Sequence, residues 1–245
     1  MSVSSIRVIG PGRAGLSLGR ALATAGWRVE PPLGRTDDLR AAAAGVDLLV
    51  LATPDGAVAD VAARVQPVPA TVVAHLAGSL DLDVLAPHAR PASIHPLVAL
   101  PDPAVGAERL RGAWFALAGD PLVRTLVDDL GGRWFTVADE DRAAYHAAAC
   151  IASNHLVALL GQAERVSAAA GVPREALLDL VRATVENVAD LGPRRALTGP
   201  VARGDLETLE RHRAALDPSE LAAYDAMVSE ARRLAAEDEE AAWCK

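Results

Sequence analysis

The first half of the chain alternates short apolar runs with segments of helical periodicity. Ile6-Arg7-Val8-Ile9 reads as a strand. Arg13 to Ala25 places Leu16, Leu18, Ala21, Leu22 and Ala25 on a helical pattern, and Gly26 supplies its stop. Trp27 to Val29 predicts a second strand, Arg40 to Ala44 a short helix, and Asp47 to Ala52 a third strand. Val58 to Val65 reads as a helix, Thr71 to Leu76 as a strand, and Ser93-Ile94 as part of another. Ala113 to Leu117 and Trp134 to Val137 predict two more strands, with a helix over Pro121 to Leu130 between them. Such alternation predicts a doubly wound, mostly parallel sheet with helices on both faces.

After Val137 the strand pattern stops. Asp139 is expected to cap a long helix towards Ala170, with Gly171 as its end. Pro173 opens another helix, ending at Gly192-Pro193, and Leu206 to Leu216 is helical. Asp217-Pro218-Ser219-Glu220 combines an N-cap, a first-turn proline and an acidic third position, opening a last helix to about Glu237. The predicted organisation is an α/β domain over residues 1–138, followed by an all-α C-terminal domain over 139–245.

Composition narrows the function classes. With 245 residues, 51% of them apolar, the chain can bury a sizeable core. A formal net charge of -8 argues against nucleic acid or an anionic membrane as partner, and 3% aromatic content leaves little for base stacking. The apolar run Ala41 to Pro54 is broken by Gly45 and Asp47 and is shorter than the roughly 20 residues a membrane span needs. The start, Met1 to Ile9, reads better as a strand than as a signal sequence. Cys150 and Cys244 stand far apart, which disfavours a disulfide framework or a zinc knuckle. A soluble cytoplasmic protein is the expectation. Lys245 is the only lysine. A catalytic lysine in the body of the chain is therefore excluded, and with it pyridoxal phosphate Schiff bases and Walker-type phosphate binding.

The first strand and helix are joined by Gly10-Pro11-Gly12-Arg13-Ala14-Gly15, a GxGxxG pattern in the strand–turn–helix setting that dinucleotide binding requires. Gly10 permits the tight turn, Gly12 lets the backbone approach a pyrophosphate, and Gly15 lets helix and strand pack closely. Free N–H groups of Arg13, Ala14 and their neighbours at the helix start would hold the phosphates. The first domain is thus read as an α/β Rossmann domain. A glycine-rich turn without a ligand is the plain alternative. About 20 residues past Gly15, where an acid would bind a ribose 2′-hydroxyl, stand Arg35 and Thr36. An arginine beside a hydroxyl suits a 2′-phosphate, so NADP (as NADPH) is favoured over NAD. Glu30 as the strand end would reverse that preference and leave Arg35 as a solvated loop residue.

In an open parallel sheet the ligand lies beyond the carboxyl ends of the strands. Thr53-Pro54-Asp55 falls there and is expected near the cofactor ribose. His75 to Ser79 follows the next strand and is expected near the nicotinamide. Ser93-Ile94-His95-Pro96-Leu97 brings His95 to the same rim, its backbone restricted by Pro96. A structural role for His75 or His95 is equally open. His88 reads as surface. On the long helix, His146, Cys150 and Asn154 recur at i, i+4 and i+8 as one stripe. His146 could exchange a proton with a substrate, and Asn154 could orient it, with Cys150 lining the substrate site. A helix-packing interface is the competing reading. The stripe lacks the carboxylate or second histidine a metal would need, and no metal is expected. Arg203, in Leu197-Thr198-Gly199-Pro200-Val201-Ala202-Arg203-Gly204-Asp205, could clamp a substrate carboxylate, or pair with Asp205 to shape the turn.

Taken together, GPGRAG, ATPDGAV, HLAGS, SIHPL, YHAAACIASNHLVAL and ALTGPVARGD resemble the two-domain Rossmann-like proteins whose C-terminal part is called domain of unknown function 2520. More distantly the layout is similar to the 6-phosphogluconate dehydrogenase-like superfamily, which includes ketopantoate reductases, pyrroline-carboxylate reductases and beta-hydroxyacid dehydrogenases. The resemblance implies NADP or NAD in the first domain and a homodimer formed through the helical domain. It departs at one point. Hydroxyacid dehydrogenases and common ketopantoate reductases carry a catalytic lysine where this chain has Tyr145, His146 and Cys150, so their mechanism does not transfer. The expected activity is NADP-dependent reduction of a small carboxylate-bearing ketone or imine, with 2-dehydropantoate one candidate. The alternatives are a non-catalytic NADP-binding sensor or scaffold, and a deazaflavin-dependent reductase.

Overall fold

The computed structural model describes residues 4–236. Cys244, Lys245 and the expected end of the last helix at Glu237 lie outside the described residues. Seven strands form one sheet: β1 (Ser5–Ile9), β2 (Arg28–Val29), β3 (Leu48–Leu51), β4 (Val72–His75), β5 (Pro91–Pro96), β6 (Trp114–Gly119) and β7 (Arg133–Thr136), in the order β2-β1-β3-β4-β5-β6-β7. Every neighbouring pair is parallel except β5 and β6, which run antiparallel. This is the doubly wound, mostly parallel Rossmann-like sheet that the alternation predicts.

The period-2 pattern sorts the strand residues onto two faces. Ile6, Val8, Leu48, Val50, Val72, Ala74, Ala92 and Ile94 bury one face against Leu18 and Leu22 of α1 (Arg13–Thr24). The second face buries Ile9, Leu49, Leu51 and Val73 against Val58 and Ala62 of α2 (Val58–Arg64). Strands buried on both sides read as continuous apolar runs, as Leu48-Leu49-Val50-Leu51 does. A helix absent from the sequence reading, α3 (Pro103–Leu110), follows β5 and contributes Leu110 to the first core. Asp102 caps it, accepting from the backbone N–H groups of Ala104 (2.9 Å) and Val105 (3.1 Å). Next, α4 (Leu122–Asp129) adds Val123, Leu126 and Val127 to the same face. The expected helix over 40–44 is instead a run of turns, which buries Leu39, Ala42 and Ala43 without regular helical bonding.

The helical run after the sheet is less uniform than its composition suggests. It opens with a 3-10 turn, Asp139–Asp141, continues as α5 (Arg142–Cys150), widens into a π-helical turn at Ile151–His155, and resumes as α6 (Leu156–Ala168). Asp139 does not cap it through a backbone N–H. Its carboxylate accepts from Arg142 Nε at 2.7 Å instead. The chain divides into two compact units, Met1–Asn154 and His155–Lys245, so α5 belongs with the sheet.

In the second unit, α7 (Arg174–Leu191), α8 (Pro193–Ala196), α9 (Gly199–Arg203), α10 (Leu206–Ala215) and α11 (Pro218–Ala236) follow α6, and no strand occurs among its described residues. The Asp217 cap is formed, accepting from Ser219 N at 2.9 Å. Glu220 does not reach back to that cap but binds Arg165, with Nε at 2.6 Å. The stretch Asp139–Ala168 is long and apolar enough by length and composition for a membrane span, with a mean hydropathy of 1.3.

Candidate functional site

The site begins at the turn after β1. Gly10 has φ +106°, in the region that favours glycine, and a Cβ there would stand 2.5 Å from the Ala52 carbonyl oxygen. Gly15 lies so close to the strand that a Cβ would meet the Gly10 carbonyl oxygen at 2.2 Å. By contrast, a Cβ on Gly12 would meet nothing within 4 Å. Gly12 is also the N-cap of α1 and offers no side-chain cap. Two glycines thus serve packing, while the third borders an open helix N-terminus whose free N–H groups favour an anion. Arg13 and Ala14 begin that helix, with Arg13 exposed. The donor set therefore fits a dinucleotide pyrophosphate.

The next question is where the second strand ends. Leu33 bridges Ile9, and the Gly10 amide donates to the Leu33 carbonyl at 2.8 Å, so the edge of the sheet continues past Val29 to Leu33. Glu30 lies inside that segment and is held by Arg28 at 3.1 Å. Arg35 and Thr36 are exposed in the turn that follows. Gly34 brings this turn to the phosphate loop, its Cβ position lying 3.8 Å from Pro11 Cγ. Asp37, the nearest acid in the turn, accepts the Gly34 amide at 2.6 Å. Glu30 and Asp37 are thus occupied by other groups, while Arg35, next to Gly34, is exposed.

Thr53, Pro54 and Asp55 follow β3 directly. The Thr53 hydroxyl is buried without a partner, and Asp55 accepts from the Ser79 hydroxyl at 3.3 Å. His75 is different from expectation. Its side chain is fully buried, and Nε2 donates to the Asp81 carbonyl at 3.1 Å. A carbonyl can only accept, so the ring is the neutral Nε2–H tautomer. Burial depresses its pKa. His75 therefore serves the sheet interior and is not placed to touch a nicotinamide. His88 is buried as well, not on the surface, with Nε2 at 3.1 Å from the Ala62 carbonyl.

The chemistry gathers around His95. It sits on β5 near the carboxyl edge, and its Nδ1 lies 2.5 Å from the Tyr145 hydroxyl. The His146 ring stands edge-on at 5.8 Å between centroids, and Cys150 Sγ lies 4.0 Å from His146 Nε2. Gly78 makes this packing feasible, because a Cβ there would fall 2.6 Å from His146 Cδ2 and 2.9 Å from His95 Nε2. Burial, reinforced by the neighbouring His146, pushes the His95 pKa from 6.5 down to about 4. Burial raises the Tyr145 phenol to about 12, partly opposed by Arg142. At neutral pH both groups are uncharged, so either can carry the shared proton. Phe135 packs edge-on against the Tyr145 ring at 5.7 Å and fixes its plane.

The cluster also takes in Tyr145 and Arg142, which the sequence did not single out, and Gly78, which falls in the segment 75–79 expected near the nicotinamide. Arg142 is 4% exposed and donates through Nη1 to the Ser93 hydroxyl at 3.3 Å. Asn154 is exposed in the π-helical turn, its Oδ1 2.8 Å from the Ser153 hydroxyl. Arg203, at the end of α9, belongs to the second unit and is exposed. Asp205 caps α10 by accepting the Thr208 amide at 3.0 Å, and the Arg203 charge also acts on its carboxylate, in keeping with the alternative of a pair that shapes the turn.

Residues 116–231 match the family model described as Domain of unknown function (DUF2520). No curated protein sequence matches the chain significantly. Solved structures share the fold. Protein BF3122 from Bacteroides fragilis is 19% identical with a TM-score of 0.78, the match covering 94% of this chain and 98% of that one. Pyrroline carboxylate reductase from Plasmodium falciparum, solved with NADP bound, is 14% identical with a TM-score of 0.62, covering 96% and 99% of the two chains. A reductive aminase from Aspergillus terreus, solved with NADPH and ethyl-5-oxohexanoate, is 17% identical with a TM-score of 0.68, covering 95% and 94%.

Proposed function

We propose that this chain is an NADPH-dependent reductase of a small ketone or imine that bears a carboxylate, 2-dehydropantoate being one candidate. The observation that carries this reading is the neutral Tyr145–His95 pair, 2.5 Å apart, at the same sheet edge as the open N-terminus of α1. Bound NADPH would supply hydride. Gly12, Arg13 and Ala14 would hold its pyrophosphate, Arg35 and Thr36 its 2′-phosphate, and Thr53 and Asp55 would flank the ribose. The NADP- and NADPH-bound reductases that share the fold support the cofactor assignment.

Reduction of C=O or C=N needs a proton as well as hydride. Tyr145, relayed by His95, is the best-placed donor, with His146 beside it. Deprotonation of the phenol is uphill at neutral pH, so it gives up its proton only as charge builds on the substrate atom. With no lysine at these positions, the chemistry is carried by phenol and imidazole. Asn154 as an orienting residue, Cys150 lining the site and Arg203 as a carboxylate clamp complete the proposal. Exposed Ile151, Val157, Leu180 and Val185 in and after the π-helical turn favour a homodimer formed through the helical region.

Calorimetry of NADPH against NADH tests the cofactor, and NADPH oxidation with panels of 2-oxo acids and cyclic imines tests the reaction. Tighter NADPH binding with turnover on either panel is the expected result. NADPH binding without any turnover would favour a sensor or scaffold, and no binding of either nucleotide would overturn the assignment.

A further inference from the structure

Two polar rungs join α5 to β5. On the strand, Ser93 and His95 are two residues apart and share a face. On the helix, Arg142 and Tyr145 are three apart and also share a face. Arg142 Nη1 reaches the Ser93 hydroxyl at 3.3 Å, and the Tyr145 hydroxyl reaches His95 Nδ1 at 2.5 Å. The first rung is deep, with Ser93 fully buried and Arg142 4% exposed.

Arginine is almost never buried this far unless it is paired. Its Nε does bind Asp139, but that carboxylate is half-exposed, and Nη2 is buried with no acceptor. A guanidinium with an unsatisfied N–H is a costly way to fill a core position, and an apolar side chain would serve packing better. The retained charge points to a task. The titratable groups around it are His75 from β4, paired in register with Ser93, His95 from β5, Asp55 after β3, and Tyr145 and His146 from α5 itself. Across this cluster the Arg142 cation opposes protonation of His75 and His95 and favours ionisation of Tyr145.

We propose that Arg142 is a positioning residue of the reductase site: through Ser93 it locks α5 onto β5 so that Tyr145 meets His95, and its charge balances the phenolate that forms during turnover. This rests on the reductase reading above. The proton passes from the Tyr145 hydroxyl to the substrate oxygen or nitrogen as the carbon takes up hydride. A phenolate remains beside the cation, and water returns the proton.

The test uses full-length Arg142→Gln, Arg142→Lys and Ser93→Ala, with histidine titrations followed by NMR on labelled protein and His95 assigned through His95→Gln. Arg142→Gln is expected to raise the His95 midpoint only modestly above about 4, burial remaining its chief cause, with Arg142→Lys staying near the wild-type value, and kcat in the glutamine variant to fall about 100-fold with KM little changed. Wild-type kcat in Arg142→Gln overturns the proposal, as does an equal loss of kcat in the lysine and glutamine variants. If Arg142→Gln does not fold, Ser93→Ala keeps the cation and breaks the rung. Faster amide exchange over residues 142–146 is then expected, and unchanged exchange overturns the clamp. Failure of the reductase reading itself looks different, with no variant turning over while the His95 shift persists.

Discussion

The Tyr145 hydroxyl lies 2.5 Å from His95 Nδ1, joining a helix to the carboxyl end of a central strand. Tyr145→Phe removes the oxygen and keeps the ring that packs on Phe135. Loss of one hydrogen bond should cost about 1 kcal/mol of stability. If the phenol is the proton donor, kcat should fall about 10²- to 10⁴-fold. NADPH affinity should hold, since the phenol is remote in sequence and role from the phosphate loop. Stopped-flow and equilibrium binding on the same preparation separate the two effects.

Gly78 tests the packing of the same cluster. Its missing Cβ leaves room for His146 Cδ2 and His95 Nε2, at 2.6 and 2.9 Å from the position that atom would take. Gly78→Ala must displace both rings. Overpacking of this kind costs about 1–3 kcal/mol, so the melting temperature should drop and activity should fall further than stability alone accounts for. Wild-type turnover in Gly78→Ala would show that ring placement is not critical.

The three loop glycines should respond differently. Gly15→Ala places a Cβ 2.2 Å from the Gly10 carbonyl oxygen and should destabilise the fold. Gly12→Ala meets no protein atom within 4 Å. It should leave stability within about 0.5 kcal/mol of wild type, as neutral surface changes do, while weakening NADPH binding. Thermal melts with and without NADPH check both. Equal nucleotide affinity in Gly12→Ala would mean that no pyrophosphate approaches that backbone.

Much of the fold was legible because the physics that writes it is local. Leu48-Leu49-Val50-Leu51 could be read as a central strand since both of its faces are buried. The phosphate loop was legible for a similar reason, each glycine answering a short-range steric demand. Asp102-Pro103 was a readable helix start that went unused, and α3 was missed with it. The proton site was only half legible. His95 and His146 stood out as isolated histidines, but Tyr145 was seen only as a neighbour, and no local pattern sets Arg142 apart from the other arginines. Their roles depend on α5 lying against β5, 50 residues away for the Tyr145–His95 pair, and no local pattern encodes that contact. The expected stripe of His146, Cys150 and Asn154 likewise assumed a continuous α-helix, whereas a π-helical turn begins at Ile151.

Arg35 decides the cofactor prediction. It is exposed beside the phosphate loop, while Glu30 and Asp37 are occupied by Arg28 and by the Gly34 amide. Charged hydrogen bonds to a 2′-phosphate are worth about 1.5–3 kcal/mol, so Arg35→Ser should weaken NADPH binding roughly 10- to 100-fold. NADH, which lacks the phosphate, should bind almost as before. A parallel loss for both nucleotides would place Arg35 in the loop's architecture and leave 2′-phosphate recognition to other groups.

The pH dependence of stability follows from His95. Its pKa is pushed from 6.5 to about 4 in the fold, chiefly by burial. Between those values the unfolded chain binds the extra proton and the folded protein does not. The stabilisation is therefore complete above pH 6.5 and is lost as pH falls towards 4. The depression corresponds to about 3 kcal/mol at full extent. His75, also depressed by burial, acts in the same direction. Denaturant melts of wild type and His95→Gln from pH 7.5 to 4.5 isolate the His95 share. The variant should be less stable at pH 7.5, having lost the Tyr145 contact, yet should lose less stability on acidification. Parallel curves for the two proteins would mean that His95 takes up its proton as readily in the fold as in the unfolded chain.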